Sequence, residues 1–213
     1  MSNQLDIGGW ARGVEGLGPG KRAILWVRGC DLACPGCMTP ELWGNAPRER
    51  WRSVEDVAAD LERALEGMDG LTISGGEPTN QAPALALLIE HLRRTRDVEV
   101  VVYSGHILED LILRDDVQPL LETIDILIDG RFKNEQANTL QWRGSDNQRV
   151  HLLSEYAQKY ADVCDASMPE QRELGLQSLG ANGYRIVGIP KRGDLARYRQ
   201  LMSARGLSVR PDL

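Results

Sequence analysis

Three of the chain's four cysteines lie within eight residues, in the segment RGCDLACPGCMTPELW at positions 28–43. Their spacing is Cys30-x3-Cys34-x2-Cys37, and the fourth, Cys164, lies far downstream. In a reducing compartment, clustered cysteines bind metals or carry out redox chemistry more often than they form structural disulfides. The spacing therefore predicts a metal or redox centre in this segment.

Three kinds of centre are compatible with these thiols. A structural zinc site needs four protein ligands, so the fourth would come from a distant residue that lacks the paired spacing of zinc sites. A redox pair in Cys34-Pro35-Gly36-Cys37 would leave Cys30 without a role. An iron–sulfur cluster on three thiolates would leave one iron free to bind a substrate or cofactor. The distant candidates for a fourth zinc ligand are Cys164, His91, His106 and His151.

A second motif, Gly75-Gly76-Glu77-Pro78, follows the short apolar segment LTIS. Two adjacent glycines let backbone carbonyl groups approach a ligand closely, and the carboxylate of Glu77 is a charged acceptor for an ammonium group. On its own the motif is also typical of an ordinary strand-to-helix turn. Its position one strand after the cysteine segment favours ligand binding.

Strand and helix patterns alternate between residues 21 and 153. The predicted strands are KRAILWVRG, LTIS, VEVVVYSG, IDILIDG and QRVHLL, and the predicted helices cover 53–66, 81–95 and HILEDLIL. Ser53 and Asp56 form a capping box at the start of the first helix. The alternation predicts right-handed βαβ units and a parallel sheet. Ligands of such sheets bind at the carboxyl ends of the strands, where the cysteines, GGEP, YSGH and DGRF all fall.

The pattern weakens towards the C-terminus. Residues 131–148 show no helical periodicity, so a complete eightfold barrel is not expected, and 154–182 suit one or two helices over an edge or an insertion. YRIVGIP at 184–190 predicts a sixth strand, and Asp194 is expected to cap a last helix that ends near Arg205. We expect one domain over 1–213, with a core at about 20–153 and a C-terminal extension at 154–213 that can complete the sheet.

Composition and charge exclude several classes of protein. The 213 residues are 42% hydrophobic and 26% charged, with a net charge of -6, which is typical of a globular chain with one large domain. No apolar run is long enough to span a bilayer, and the first residues lack the pattern of a signal peptide. The acidic balance argues against binding to nucleic acid or to an anionic membrane surface. We expect a cytoplasmic protein with a protein or small-molecule partner.

Together, the cysteine spacing and Gly75-Gly76-Glu77-Pro78 resemble the signature of the radical S-adenosylmethionine (SAM) enzymes. Within that superfamily the chain is most similar to the short activating enzymes, above all the activase of anaerobic ribonucleotide reductase. The similarity covers about residues 20–153 and implies an α/β fold: a partial (β/α)6-type radical SAM barrel with a parallel sheet and incomplete late helices. Five segments carry it in order: VRGCDLACPGCMTPELW, LTISGGEP, VVYSGHILEDL, DILIDGRF and WRGSDNQRV.

The resemblance also implies the cofactors and the chemistry. A [4Fe-4S] cluster on Cys30, Cys34 and Cys37 would bind SAM at its open iron and pass one electron to the sulfonium. The resulting 5'-deoxyadenosyl radical takes a hydrogen atom from the substrate, while the protein orients, shields and tunes the cofactors. Gly75-Gly76-Glu77 is expected to hold the amino group of SAM.

Further candidates for SAM binding come from the later segments of the resemblance. Asp129 is the candidate for the ribose hydroxyls, although Asp-Gly is also common turn chemistry. Arg149 could pair with the SAM carboxylate in bidentate fashion, and Arg143 competes for that role. Ser104 and Asn147 are the remaining candidates.

The leading hypothesis for function is an activase that installs a glycyl radical on a larger partner enzyme and receives its electron from a donor such as flavodoxin or ferredoxin. An open flank of the barrel would admit a polypeptide loop. One alternative is a radical SAM enzyme that takes hydrogen from a small molecule or peptide. Since Cys164 is the only further thiol, no second cluster can be built from thiols alone, and this disfavours the peptide version. The other alternative is a noncatalytic iron–sulfur or zinc module.

Overall fold

The structure, a computed structural model, describes residues 3–137, 140–167, 174–178, 184–190 and 193–206. The strands are β1 (Gln4–Leu5), β2 (Ile7–Val14), β3 (Arg22–Val27), β4 (Arg52–Ser53), β5 (Gly70–Gly75), β6 (Glu99–Tyr103), β7 (Ile126–Asp129), β8 (Arg149–Leu152), β9 (Gly175–Ser178) and β10 (Tyr184–Val187). The α-helices are α1 (Val54–Ala64), α2 (Ala82–Arg93), α3 (Leu108–Leu111), α4 (Gln118–Thr123) and α5 (Asp194–Ser203). None of the helices in these ranges has the length and apolarity that a membrane crossing needs.

Six strands form the central sheet, in the order β2-β3-β5-β6-β7-β8. The inner strands β3, β5, β6 and β7 are parallel, whereas both edge strands are antiparallel to their neighbours. The α/β prediction is confirmed. The prediction of a parallel sheet is wrong at β8, which is antiparallel to β7. A parallel neighbour needs a long crossover, usually a helix, and the described part of 130–148 forms only a short 3-10 helix at Asn134–Gln136.

The N-terminal strand β2 was not predicted. Its sequence, IGGWARGV, contains three glycines, which lower strand propensity and obscure the alternation of apolar and polar residues. Pairing with β3 nevertheless holds it in the sheet, with irregular register between Ile7 and Gly9 and between Ala11 and Val14.

The local signals of the first two helices agree with the structure. Ser53 caps α1: its Oγ accepts from the Asp56 backbone N at 3.1 Å and donates to Asp56 Oδ2 at 2.8 Å. The predicted helices at 53–66 and 81–95 correspond to α1 and α2. Helix α4 was not predicted.

Alternate residues of the inner strands face opposite sides of the sheet. Leu25 of β3 and Leu127 of β7 pack in the core beneath the helices, whereas Trp26 packs on the other side with Val187 of β10. We call this side, opposite the helices, the inner face of the sheet. Ile128 of β7 lies there in a third apolar cluster. The inner face is therefore covered by the chain's own loops and later segments.

Residues 140–167 supply one part of that cover. Trp142, Ala157 and Cys164 are buried against the inner face of β6 and β7. The rings of Trp142 and Tyr160 meet edge to face, with their centroids 5.8 Å apart. Apart from β8, which extends the sheet, this segment packs on the inner face instead of adding a helix to the outside.

The C-terminal part differs from the prediction in two respects. Strand β10 pairs with β9 in a separate two-stranded sheet instead of joining the central one. Helix α5 begins at Asp194, but its N-cap is Gly193, whose φ of 96° suits a glycine. Residues 168–173 and 179–182 of the predicted insertion lie outside the described residues.

A buried ion pair joins the amino ends of the inner strands. The Arg22 guanidinium is fully buried and donates to Glu99 Oε1 at 2.9 Å and to Thr72 Oγ1 at 2.7 Å. It also donates to the carbonyl groups of Pro19, Leu71 and Glu99. Burial lowers the pKa of Arg22, and Glu99 opposes this effect. The network ties β3, β5 and β6 together at the end of the sheet remote from the cysteines.

Candidate functional site

The cysteine loop begins directly after β3, at the carboxyl edge of the sheet. Within it the Cys37 backbone N donates to Cys34 O at 3.1 Å, and Gly36 has φ of 75°. Proline followed by a glycine with positive φ is the signature of a type II turn. Pro35-Gly36 therefore fixes the separation of two cysteines, while the Cys30 backbone N donates to Trp43 O at 2.9 Å.

The Gly75-Gly76 segment docks directly on the start of the cysteine loop. The Gly76 backbone N donates to Val27 O, and the Glu77 backbone N donates to Gly29 O, each at 2.8 Å. A Cβ at position 75 would lie 2.5 Å from Val27 O, and one at 76 would lie 2.4 Å from Gly29 O. Only glycine permits this approach, so the two predicted motifs form one backbone unit.

Glu77 is buried, and its carboxylate accepts four hydrogen bonds from the protein. Oε1 accepts from the Thr79 backbone N at 3.0 Å, from Thr79 Oγ1 at 2.7 Å and from Ser104 Oγ at 2.9 Å. Oε2 accepts from the Gly105 backbone N at 2.8 Å. The side chain thus ties the loop after β5 to the loop after β6, a structural role that the sequence did not indicate.

A cavity of about 460 Å³ opens at this edge of the sheet. This volume lies within the range of small-molecule and cofactor sites. Seven of the predicted site residues line it: Cys30, Cys34, Cys37, Gly75, Gly76, Glu77 and Ser104. The structure therefore brings together the motifs that follow the first three inner strands.

Several residues that the sequence did not single out support this cavity. Thr39 links the cysteine loop to the Gly75-Gly76 segment. Its Oγ1 donates to Gly75 O at 3.1 Å, and its backbone N approaches Cys37 Sγ at 3.5 Å. Gln148 lines the cavity and donates through Nε2 to Gly130 O at 3.0 Å. Gly-Pro spacing and strand patterns carry no signal for such loop-to-loop contacts.

Asp129 and Arg149 bind each other and do not line the cavity. Asp129 shares a face of β7 with Leu127, on the helix side of the sheet. Its Oδ1 accepts from Arg149 Nε at 3.0 Å, and its Oδ2 accepts from the Leu108 backbone N at 2.7 Å and lies 3.0 Å from His151 Nε2. Burial alone would raise the pKa of Asp129, but the hydrogen bonds from His151, Arg149 and the backbone outweigh it, so the pKa is lowered.

The rest of the Arg149 guanidinium holds Glu109 in a bidentate pair at 2.8 and 2.6 Å. Hydrogen bonding to Arg149 lowers the pKa of Glu109 to about 2. Asn147 donates to Arg131 O at 2.8 Å, and Arg143 donates to Cys164 O at 2.8 Å. Neither lines the cavity, so the predicted contacts of these two residues and of Arg149 with SAM have no geometric support.

The chemistry of the three cysteines depends on their partial burial. Burial raises the pKa of Cys30 and of Cys34, so iron binding must displace their protons. Among the described residues, no three His, Cys, Asp or Glu side chains lie close enough to hold one metal ion. A cubane cluster does not need such a group, because each thiolate binds a different iron.

Comparison with known proteins agrees with this arrangement. A family profile described as a 4Fe-4S single cluster domain matches residues 16–151. The chain belongs to this family, so an iron–sulfur protein is the class that the fold and the cysteine site define.

The curated relatives narrow this class. The chain is 37% identical over 144 residues to the anaerobic ribonucleoside-triphosphate reductase-activating protein of Vibrio cholerae. The alignment covers 64% of this chain and 91% of that relative. The protein of the same name from Escherichia coli K12 is 32% identical over 142 residues, 64% of this chain and 91% of its own length. The one from phage T4 is 29% identical over 138 residues, with coverages of 62% and 85%.

The chain is thus a radical SAM enzyme of the activating type, with a [4Fe-4S] cluster and SAM as its cofactors. Among solved structures, it is similar to QueE from Escherichia coli at 20% identity and a TM-score of 0.38, over 48% of this chain and 52% of that one.

Proposed function

We propose that this chain cleaves SAM reductively and uses the product radical to form a glycyl radical in a larger partner enzyme of the anaerobic ribonucleotide reductase type. The observation that carries the proposal is the convergence of the three cysteines and Gly75-Gly76-Glu77 on one cavity. The names of the relatives support the choice of partner. A one-electron donor such as a flavodoxin or ferredoxin completes the reaction.

The residues present fit both cofactors. Three thiols line a cavity of about 460 Å³, and three thiolates leave one iron of a [4Fe-4S] cluster without a protein ligand. Beside them, two glycines bring backbone within reach of a ligand where any Cβ would collide with the cysteine loop. When bound, the reduced cluster and SAM supply a 5'-deoxyadenosyl radical that abstracts hydrogen.

The chain's own residues bind, orient and shield these groups. Cys30, Cys34 and Cys37 hold the cluster, and the Thr39 backbone N–H near Cys37 Sγ adjusts its potential, because hydrogen bonds to sulfur stabilise the reduced state. Gly75-Gly76-Glu77 holds the amino group of SAM. Ser104 fixes the Glu77 carboxylate through its hydroxyl donor.

Anaerobic reconstitution tests the proposal. With SAM and a strong reductant, the chain is expected to release 5'-deoxyadenosine, and addition of the candidate reductase is expected to give the doublet of a glycyl radical in its electron paramagnetic resonance spectrum. A reductase whose acceptor glycine is replaced by alanine is the control. Release of 5'-deoxyadenosine without a protein radical would reject the partner and favour a small-molecule substrate.

Gly76→Ala is expected to lower the formation of 5'-deoxyadenosine by about a hundredfold, because the new Cβ would displace the cysteine loop by a large part of an ångström. The clash is with the backbone at Gly29, so no side chain can move to relieve it. The measurement is initial rate together with iron content and circular dichroism.

Gly44→Ala is the matched control for that variant. Gly44 lies in the same region of the chain, its φ is not positive, and a Cβ there meets nothing within 4 Å. If both variants retained the parental rate, close packing of the two motifs would not matter for catalysis.

A further inference from the structure

The C-terminal segment 186–190 reaches the cavity from outside the part of the chain that the family profile matches. The profile ends at residue 151, yet Ile186, Ile189 and Pro190 line the same cavity as the cysteines. The cavity therefore has a wall that belongs to this chain's extension.

Val187 anchors this wall to the sheet. Its side chain is only 3% exposed and lies in an apolar cluster with Ile24 and Trp26 of β3. Trp26 and Leu17, a neighbour of that cluster, also line the cavity. Burial of Val187 thus holds the segment beside an apolar surface on the inner face of the sheet.

The cavity is lined mainly by apolar groups, as far as its described residues show. Among the described residues that line it, none is a lysine, arginine, histidine or aspartate, and the single carboxylate is that of Glu77, which already accepts four hydrogen bonds. A peptide segment of the partner can pack on the apolar wall that Ile186, Ile189 and Pro190 form.

We propose that residues 186–190 form a wall of the substrate subsite, which packs against a peptide segment of the partner and keeps water from the cluster. This inference rests on the proposed function for the identity of the peptide. The position of the wall does not depend on it, so the two can be tested separately.

Ile189→Trp tests whether the wall contacts the substrate. The larger ring should narrow the subsite, so the glycyl radical formed per 5'-deoxyadenosine released is expected to fall about tenfold, since misplacement of a substrate by a fraction of an ångström has effects of this size. Ile189→Ala should lower the ratio less. Leu201→Ala on α5, 48% exposed, is the control and should keep the parental ratio. An unchanged ratio in Ile189→Trp would overturn the assignment to the substrate subsite.

Val187→Asp tests whether the wall shields the cluster, and this experiment needs no partner enzyme. A buried, unpaired carboxylate should release the segment, so iron loss from the reconstituted protein to a bulky chelator is expected to accelerate about tenfold. Leu201→Asp is the matched control. Iron loss at the parental rate in Val187→Asp would show that the segment does not cover the cluster.

If the parental protein released 5'-deoxyadenosine but formed no glycyl radical, the proposed function would fail while this test still decided the position of the wall.

Discussion

A Cys34→Ala variant is expected to lose both the cluster and the cleavage of SAM. The three cysteines line one cavity, and removing one thiolate leaves a second iron without a protein ligand. After anaerobic reconstitution, iron should fall from about four atoms per chain to about one or fewer. The release of 5'-deoxyadenosine should fall to the detection limit. Iron and sulfide analysis, the electron paramagnetic resonance spectrum of the reduced protein and chromatography of the nucleoside measure these outcomes.

Cys164→Ala provides the matched control, because Cys164 is a cysteine that does not line the cavity. It is buried against the inner face of the sheet, and its Sγ donates to Tyr160 O at 3.1 Å. Its replacement is expected to cost about 1 kcal/mol of stability and to leave cluster content unchanged. A Cys34→Ala protein that kept a full cluster and the parental rate would refute the site, and so would cluster loss in Cys164→Ala.

Arg22→Met is expected to reduce the free energy of unfolding by about 3–5 kcal/mol, because it leaves the buried Glu99 carboxylate without its cation. The pair is almost fully buried, with side-chain exposures of 0% and 3%. Tyr160 Oη, which donates to Glu99 Oε2 at 2.9 Å, and the nearby Lys159 compensate only in part. Denaturant unfolding of the apoprotein, followed by circular dichroism, measures the loss.

Two further variants separate the ion pair from simple loss of packing. Arg22→Met combined with Glu99→Leu should recover a large part of the stability, because no unpaired charge then remains buried. Arg63→Met is the surface control, since the Arg63 side chain is 68% exposed in its pair with Asp60, and exposed pairs contribute about 0–1 kcal/mol. If Arg22→Met and Arg63→Met were equally stable, the buried network would not hold the strands together.

The two motifs and their position at the carboxyl edge of the sheet could be predicted because their signals are local. Pro35-Gly36 specifies the turn between two cysteines through its own dihedral preferences, and Ser53 with Asp56 specifies the start of α1. The apolar runs at β3, β5, β6 and β7 specify strands whose carboxyl ends meet at one edge, because parallel strands joined by right-handed crossovers must align in this way. These features depend on residues close together in the chain.

The same strands could not reveal which side chains face the cavity. Ile126, Leu127 and Ile128 are all apolar, and a strand buried on both faces carries no alternation from which its orientation can be inferred. Asp129 consequently looked like a cavity residue, whereas in the structure it lies on the helix side with Arg149. Two of the four hydrogen bonds to Glu77 were hidden for a related reason, since their donors, Ser104 and Gly105, come from a different loop.

The sequence by itself determined the cysteine loop, the glycines beside it and the parallel core, because turn chemistry, capping and apolar patterning act over short distances along the chain. Only the tertiary structure decided that β8 runs antiparallel, that β2 completes the opposite edge and that residues 186–190 line the cavity. Each of these depends on contacts between segments far apart in the chain, whose free energy comes from burial against surfaces that exist only after folding.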